Sequence, residues 1–202
     1  MFNQTNFIRI LRFSIVFCAV SFLTACDFSA KKFFNTDITG ASSFNPNFEL
    51  VDQLGNVRHL SDFKGKVAII FFGYTQCPDV CPTTLMEIKE VVELLGKDKD
   101  KLQVIFITVD PERDTQEVLA QYIPSFDPSF LGLRPATPEA LEQVVKGFKI
   151  FVRKESTQDG KYYTMSHTSG SYVVDQDGKL RLFIKHNQGA QTLVNDLKQL
   201  IN

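Results

Sequence analysis

Val67-Ala68-Ile69-Ile70-Phe71-Phe72-Gly73-Tyr74-Thr75-Gln76-Cys77-Pro78-Asp79-Val80-Cys81-Pro82 is the stretch whose physical chemistry organises the chain around it. Residues 67–72 form an unbroken apolar run after the turn-forming segment Asp62-Phe63-Lys64-Gly65-Lys66, the pattern of a strand buried on both faces. Residues 73–81 are polar and contain Pro78, so they read as a loop. From about Pro82 to Leu95 the apolar residues Leu85, Ile88, Val92 and Leu95 recur at helical spacing. Strand, loop and helix in that order put Cys77 and Cys81 where open α/β sheets present their ligands.

Downstream, Lys97 to Lys101 is a polar turn and Leu102 to Val109 a second buried strand. Asp114-Thr115-Gln116-Glu117 has the form of a capping box, with Asp114 as the cap of a helix reaching about Ile123. Thr137-Pro138 opens another helix, with Leu141, Val144, Val145 and Phe148 on its inner face. Ile150 to Arg153 reads as a short strand, and Glu155 to Tyr163, with Asp159-Gly160 at its tip, as an inserted hairpin or flexible loop. Ser171 to Val174 and Leu180 to Ile184 flank the turn Asp175-Gln176-Asp177-Gly178 as an antiparallel pair, and a last helix runs from about Ala190 to Ile201. Upstream, Phe48 to Asp52 and Val57 to Leu60 flank Gln53-Leu54-Gly55-Asn56 as an N-terminal hairpin. Strand–helix–strand alternation closed by a hairpin and a final helix is the order of a thioredoxin-like α/β fold, a central mixed sheet flanked by helices. This domain is expected over 47–202, with no internal repeat and no low-complexity segment.

The N-terminus has a different character. Arg9 and Arg12 make a positive region, no acidic residue precedes Asp27, and Phe13 to Phe22 is apolar but about half the length a spanning helix needs. It ends in Leu23-Thr24-Ala25-Cys26, similar to the lipobox of a bacterial lipoprotein. The expectation is a signal peptide over 1–25, cleavage before Cys26, lipidation of its thiol and a tether over 26–46 whose Phe residues could dock on the domain. Asp27 resembles a signal for retention at the inner membrane, so the domain is expected to be lipid-anchored there, facing the periplasm. Cleavage removes Cys18 and two positive charges, taking the chain from a formal charge of −1 to about −3. Neither value, and no basic run, makes an electrostatic case for nucleic acid. Of the four cysteines, only Cys77 and Cys81 remain for chemistry, in an oxidising compartment where a disulfide between them is also open.

The loop places both sulfurs toward a helix N-terminus, whose unpaired N–H groups favour thiolate. Two soft thiolates in a partly exposed pocket suit Cu(I). Cu(II) needs a further donor, and of the three histidines His167 lies in Met165-Ser166-His167-Thr168-Ser169, directly before the strand at Ser171. A thioredoxin-like topology brings that segment across from the cysteine loop. His59 and His186 read as ordinary hydrogen-bonded histidines, and Met165 receives no role. Asp110, at the end of a central strand, either tunes the site or faces a partner. Arg113 reads as a solvated loop residue, and Tyr74 and Phe72 as packing.

Gly73-Tyr74-Thr75 with Cys77-Pro78-Asp79-Val80-Cys81-Pro82, then Val109-Asp110-Pro111-Glu112-Arg113-Asp114-Thr115, then His167 ahead of Tyr172 to Gly178, resembles the Sco/SenC family over roughly 47–201. The resemblance implies a thioredoxin-like fold, copper held by Cys77, Cys81 and His167, and service in assembling the Cu-A centre of cytochrome c oxidase. It implies as partners the copper-bearing subunit of the oxidase, a thiol reductase that opens any Cys77–Cys81 disulfide, and another copper chaperone. Many relatives carry an acidic residue just before the His; here it is Ser166.

Other chemistries remain open to the residues. A thiol–disulfide oxidoreductase usually has two residues between its cysteines and a Pro facing them, whereas this chain has three residues and no Pro after Pro138. A peroxiredoxin would have Thr or Ser three positions before its Cys, where this chain has Tyr74 or Pro78. A two-Cys donor could still reduce a disulfide in its acceptor, so thiol reduction stands beside copper delivery, with a copper or redox sensor as a third possibility.

Overall fold

A computed structural model describes residues 32–156, 158 and 160–201. In chain order the described elements are β1 (Thr36–Asp37), β2 (Glu49–Asp52), β3 (Val57–His59), β4 (Val67–Gly73), helix α1 (Val80–Leu95), β5 (Leu102–Thr108), α2 (Gln116–Tyr122), β6 (Leu131–Arg134), α3 (Pro138–Phe148), β7 (Val152–Ser156), β8 (Tyr163–His167), β9 (Ser171–Val174), β10 (Leu180–Ile184) and α4 (Ala190–Ile201). Eight strands form one mixed sheet in the order β1-β10-β9-β4-β5-β6-β2-β3. The strands β4, β5 and β6 run parallel, while β9 and β2 join them antiparallel. The apolar run at 67–72 therefore lies at the centre, and all seven residues of β4 are buried. The expected α/β, thioredoxin-like architecture, a mixed sheet with four flanking helices, is the one observed.

Where an inserted hairpin or flexible loop is expected, β7 and β8 pair as a hairpin that forms its own two-stranded sheet. The strands β1 and β6 lie outside the sequence expectations. β6 is only four residues long and contains Gly132, where a Cβ would approach Ile123 Cγ1 to 2.8 Å. Such a short, glycine-bearing segment has no readable period. The helix α1 begins at Val80, two residues before the expected start. Pro82 is tolerated in its first turn because amides there have no intrahelical acceptor.

The domain also starts earlier than residue 47. Asp196 on α4, fully buried, accepts the N–H of Phe34, the N–H of Asn35 and the Asn35 side-chain amide, each at 2.8 Å. Thr36 and Asp37 pair with β10, and Phe33 and Phe44 pack against the core. Asn45 donates to the Gly147 carbonyl at 3.0 Å, an approach so close that a Cβ at Gly147 would sit 2.4 Å from Asn45 O. The segment 33–46, expected as part of a tether, is thus fixed to the domain by partners more than a hundred residues away. The expected signal peptide over 1–25 and lipidation at Cys26 lie outside the described residues. No helix among the described residues is long and apolar enough to cross a membrane.

Candidate metal centre

The cysteine loop is fixed at both ends before any metal is considered. At the end of β4, a Cβ on Gly73 would come within 2.9 Å of Cys81 Sγ and 2.8 Å of Phe106 Cε2. Only glycine lets the buried sulfur rest against the strand end. Beyond it, Thr75 donates its N–H to Asp114 Oδ2 at 3.1 Å and its hydroxyl to Asp114 Oδ1 at 2.6 Å. Thr108 on β5 donates to Asp114 Oδ2 at 2.5 Å. Asp114 is fully buried, and burial pushes its carboxyl above the ordinary range although the Thr108 and Thr75 donors oppose the shift.

This corrects the reading of Asp114 as a helix cap. Thr115 is the cap of α2, its hydroxyl accepting the Val118 N–H, while Asp114 staples the cysteine loop to β5. The sequence signal for an N-cap was real but displaced by one residue, and it masked the structural carboxylate.

Cys77 is partly exposed and Cys81 fully buried; both are free thiols. The N–H of Cys81, in the first turn of α1, donates to Cys77 Sγ at 3.4 Å, as expected of an unpaired amide at a helix start. For Cys81 the expected preference for thiolate is overturned. Burial pushes its thiol far above the ordinary value, opposed only in part by a backbone hydrogen bond at Tyr74. A soft metal cation must therefore displace the Cys81 proton to bind there.

His167 is the last residue of β8, paired with Val152, rather than a loop residue. Its Nε2 stands 3.8 Å from Cys81 Sγ. Its Nδ1 lies 2.9 Å from the Thr168 carbonyl, which assigns the ring proton to Nδ1 and leaves the Nε2 lone pair toward the sulfur. Burial holds its pKa below the ordinary histidine value, so the ring is neutral at pH 7. The Tyr74 ring packs edge-on against it at 5.9 Å.

The other histidines stay apart, as expected. His59 pairs with Glu49 at 3.0 Å, and His186 Nδ1 meets the Thr84 hydroxyl at 3.0 Å. The structure thus brings Cys81 and His167 together, with Cys77 one hydrogen bond from Cys81. No three Cys, His, Asp or Glu side chains among the described residues converge tightly enough to hold a metal as they stand. The donor chemistry, two sulfurs and a neutral imidazole without a carboxylate, fits a soft ion such as Cu(I) and not Ca²⁺ or Mg²⁺. A cavity of about 290 Å³, lined in part by Asp110, Pro111, Leu141 and Met165, contains none of the three donors.

Asp110 is buried just past the end of β5. It pairs with Arg113 and accepts the Tyr163 hydroxyl at 3.1 Å. Arg113, read from sequence as solvated, is mostly enclosed: it donates to Gln76 Oε1 at 3.1 Å and to the Tyr163 carbonyl at 3.0 Å. Sequence offered no sign of this, because a solvated and an enclosed loop arginine look alike.

Comparison with known proteins agrees with this frame. The SCO1/SenC family model matches residues 36–202. A SCO2-like protein of Rickettsia felis is 40% identical over 141 residues, 69% of this chain and 67% of that protein. The structure of Bradyrhizobium japonicum ScoI with copper bound superimposes with a TM-score of 0.71 at 42% identity, covering 78% of this chain and 99% of that one. Yeast Sco1 with copper bound gives a TM-score of 0.70 at 31% identity, covering 78% and 87%. A match that begins at β1 and runs through both cysteines and His167, on the same fold, makes this chain a member of the SCO1/SenC family.

Proposed function

We propose that this protein is a copper metallochaperone that holds copper on Cys77, Cys81 and His167 and delivers it to the Cu-A centre of cytochrome c oxidase during assembly. It works from a lipid anchor at Cys26 on the bacterial inner membrane, facing the periplasm. The observation that carries the reading is His167 Nε2 standing 3.8 Å from Cys81 Sγ, with its Nδ1 engaged by the Thr168 carbonyl and Cys77 beside Cys81. A dithiol that only moved electrons would have no use for a third soft-metal donor in that place. Support also comes from ScoI and yeast Sco1, relatives whose structures contain copper.

The chemistry follows from the unequal exposure of the two sulfurs. Binding of Cu(I) to both sulfurs releases the Cys77 and Cys81 protons to solvent, after a thiol reductant has opened any disulfide between them. Cys77, the more exposed donor, is the one an acceptor thiolate replaces first, so that Cu(I) passes by ligand exchange without leaving the sulfur-rich environment. Partners in this scheme are the copper-bearing oxidase subunit, a thiol reductase and a donor copper chaperone.

The same asymmetry favours one other reading. A partly exposed Cys77 beside a buried Cys81 is also the arrangement of a dithiol that attacks with one sulfur and resolves with the other, so the protein could reduce a disulfide in the oxidase copper site. Oxidase activity in a strain lacking the gene separates the two. Under delivery, added copper restores activity at least in part, and His167→Ala behaves like Cys77→Ser. Rescue by an exogenous thiol, with His167→Ala fully functional, would replace delivery with reduction.

A further inference from the structure

Every polar side chain of the turn Asp110-Pro111-Glu112-Arg113 touches the β7–β8 hairpin that carries His167. Asp110 accepts the Tyr163 hydroxyl at 3.1 Å, Glu112 accepts Lys154 Nζ at 2.7 Å, and Arg113 donates to the Tyr163 carbonyl at 3.0 Å. The Arg113 guanidinium carbon also sits over the Tyr163 ring, 3.6 Å from its centroid. The Arg113 Nη1 that donates to the Tyr163 carbonyl also donates to Gln76 Oε1, on the residue before Cys77. The turn itself is held from β6, where Arg134 donates to the Pro111 carbonyl through Nε at 3.1 Å and Nη2 at 2.9 Å. Among the described residues the hairpin has no strand partner in the main sheet, so these contacts supply what a sheet ladder would otherwise provide.

We infer that Arg113 is a positioning residue that clasps the cysteine loop to the His167 hairpin and so sets the distance between the sulfur donors and the nitrogen donor. It touches none of the donors itself. Its planar fork serves Gln76, Asp110 and Tyr163 at once, which a lysine ammonium cannot reproduce. The clasp therefore acts on whichever copper state needs both halves of the site. Cu(I) can rest on Cys77 and Cys81 alone, whereas Cu(II) needs His167 as well. The copper part of this inference rests on the proposed ligand set; the clasp does not.

Arg113→Lys and Gln76→Ala test it, the second because Gln76 is exposed and its loss leaves the fold intact. Amide hydrogen exchange in the metal-free protein should quicken about tenfold across β7–β8 in both variants, with β4 and β5 unchanged. Cu(II) affinity should fall about 10- to 100-fold, the usual cost of losing an outer partner of a metal site, while Cu(I) affinity holds. Wild-type exchange in the hairpin of both variants would overturn the clasp, as would an equal fall in Cu(I) and Cu(II) affinity. Faster hairpin exchange together with unchanged Cu(II) affinity would keep the clasp and remove His167 from the ligand set.

Discussion

The two halves of the candidate metal centre are built to different standards. The sulfur half is part of the core: Cys81 is fully buried against Gly73 and Phe106, and Asp114 pins Thr75 to β5. The nitrogen half is an appendage: His167 ends a two-stranded sheet bonded mainly to itself and steered by side chains from the 110–113 turn. A site of this kind can keep its soft-metal donors fixed while the third donor joins or leaves at low cost. That combination suits a protein that must both retain copper and give it up.

The sharpest way to break the contrast is to damage the core half. Gly73→Ala places a methyl group on Cys81 Sγ and Phe106, both fully buried, so a structural shift is unavoidable. The expected cost is about 3 kcal/mol, measured by chemical denaturation, with copper binding impaired in both oxidation states. A stable variant with normal copper binding would mean that the sulfur half is as adaptable as the hairpin.

Asp114 comes next. Asp114→Ala leaves the Thr75 N–H and the Thr108 hydroxyl without their acceptor, and should cost about 2 kcal/mol. Its titration gives a second handle. Because burial raises the folded pKa above the unfolded one, the stability Asp114 contributes is complete below the ordinary Asp value and declines as pH rises through the folded value. Wild type should therefore lose stability relative to Asp114→Asn as pH is raised across that window. A difference that stays flat with pH would show that the carboxylate is as well compensated inside as in water.

The smallest effect belongs to the hairpin. Lys154→Ala removes an exposed ion pair with Glu112 and should change global stability by less than about 0.5 kcal/mol. A loss comparable to that of Asp114→Ala would make the hairpin an integral part of the fold.

The same division governs what could be read from sequence. The central strand, the cysteine loop and the helix after it were legible because burial imposes a pattern: seven buried residues in β4, and Leu85, Ile88, Val92 and Leu95 facing inward from α1. The β2–β3 hairpin and the β9–β10 pair were legible from their turns. His167 could be singled out only through its place in the fold. Asp114, Arg113 and Asp196 escaped because their work depends on partners distant in sequence, and a capping, solvated or stapling side chain is spelled with the same letter. Docking of the tether could be raised from its Phe residues but not located, since the acceptor for Phe34 and Asn35 lies 161 to 162 positions away.

The central claim is that copper is held by two core sulfurs and one hairpin nitrogen, and copper binding by the reduced domain of His167→Ala tests it most directly. The account predicts that the variant keeps one Cu(I) per protein on Cys77 and Cys81 but loses tight Cu(II) binding together with the nitrogen signature in its electron paramagnetic resonance spectrum. A Cu(II) spectrum and affinity identical to wild type would contradict it.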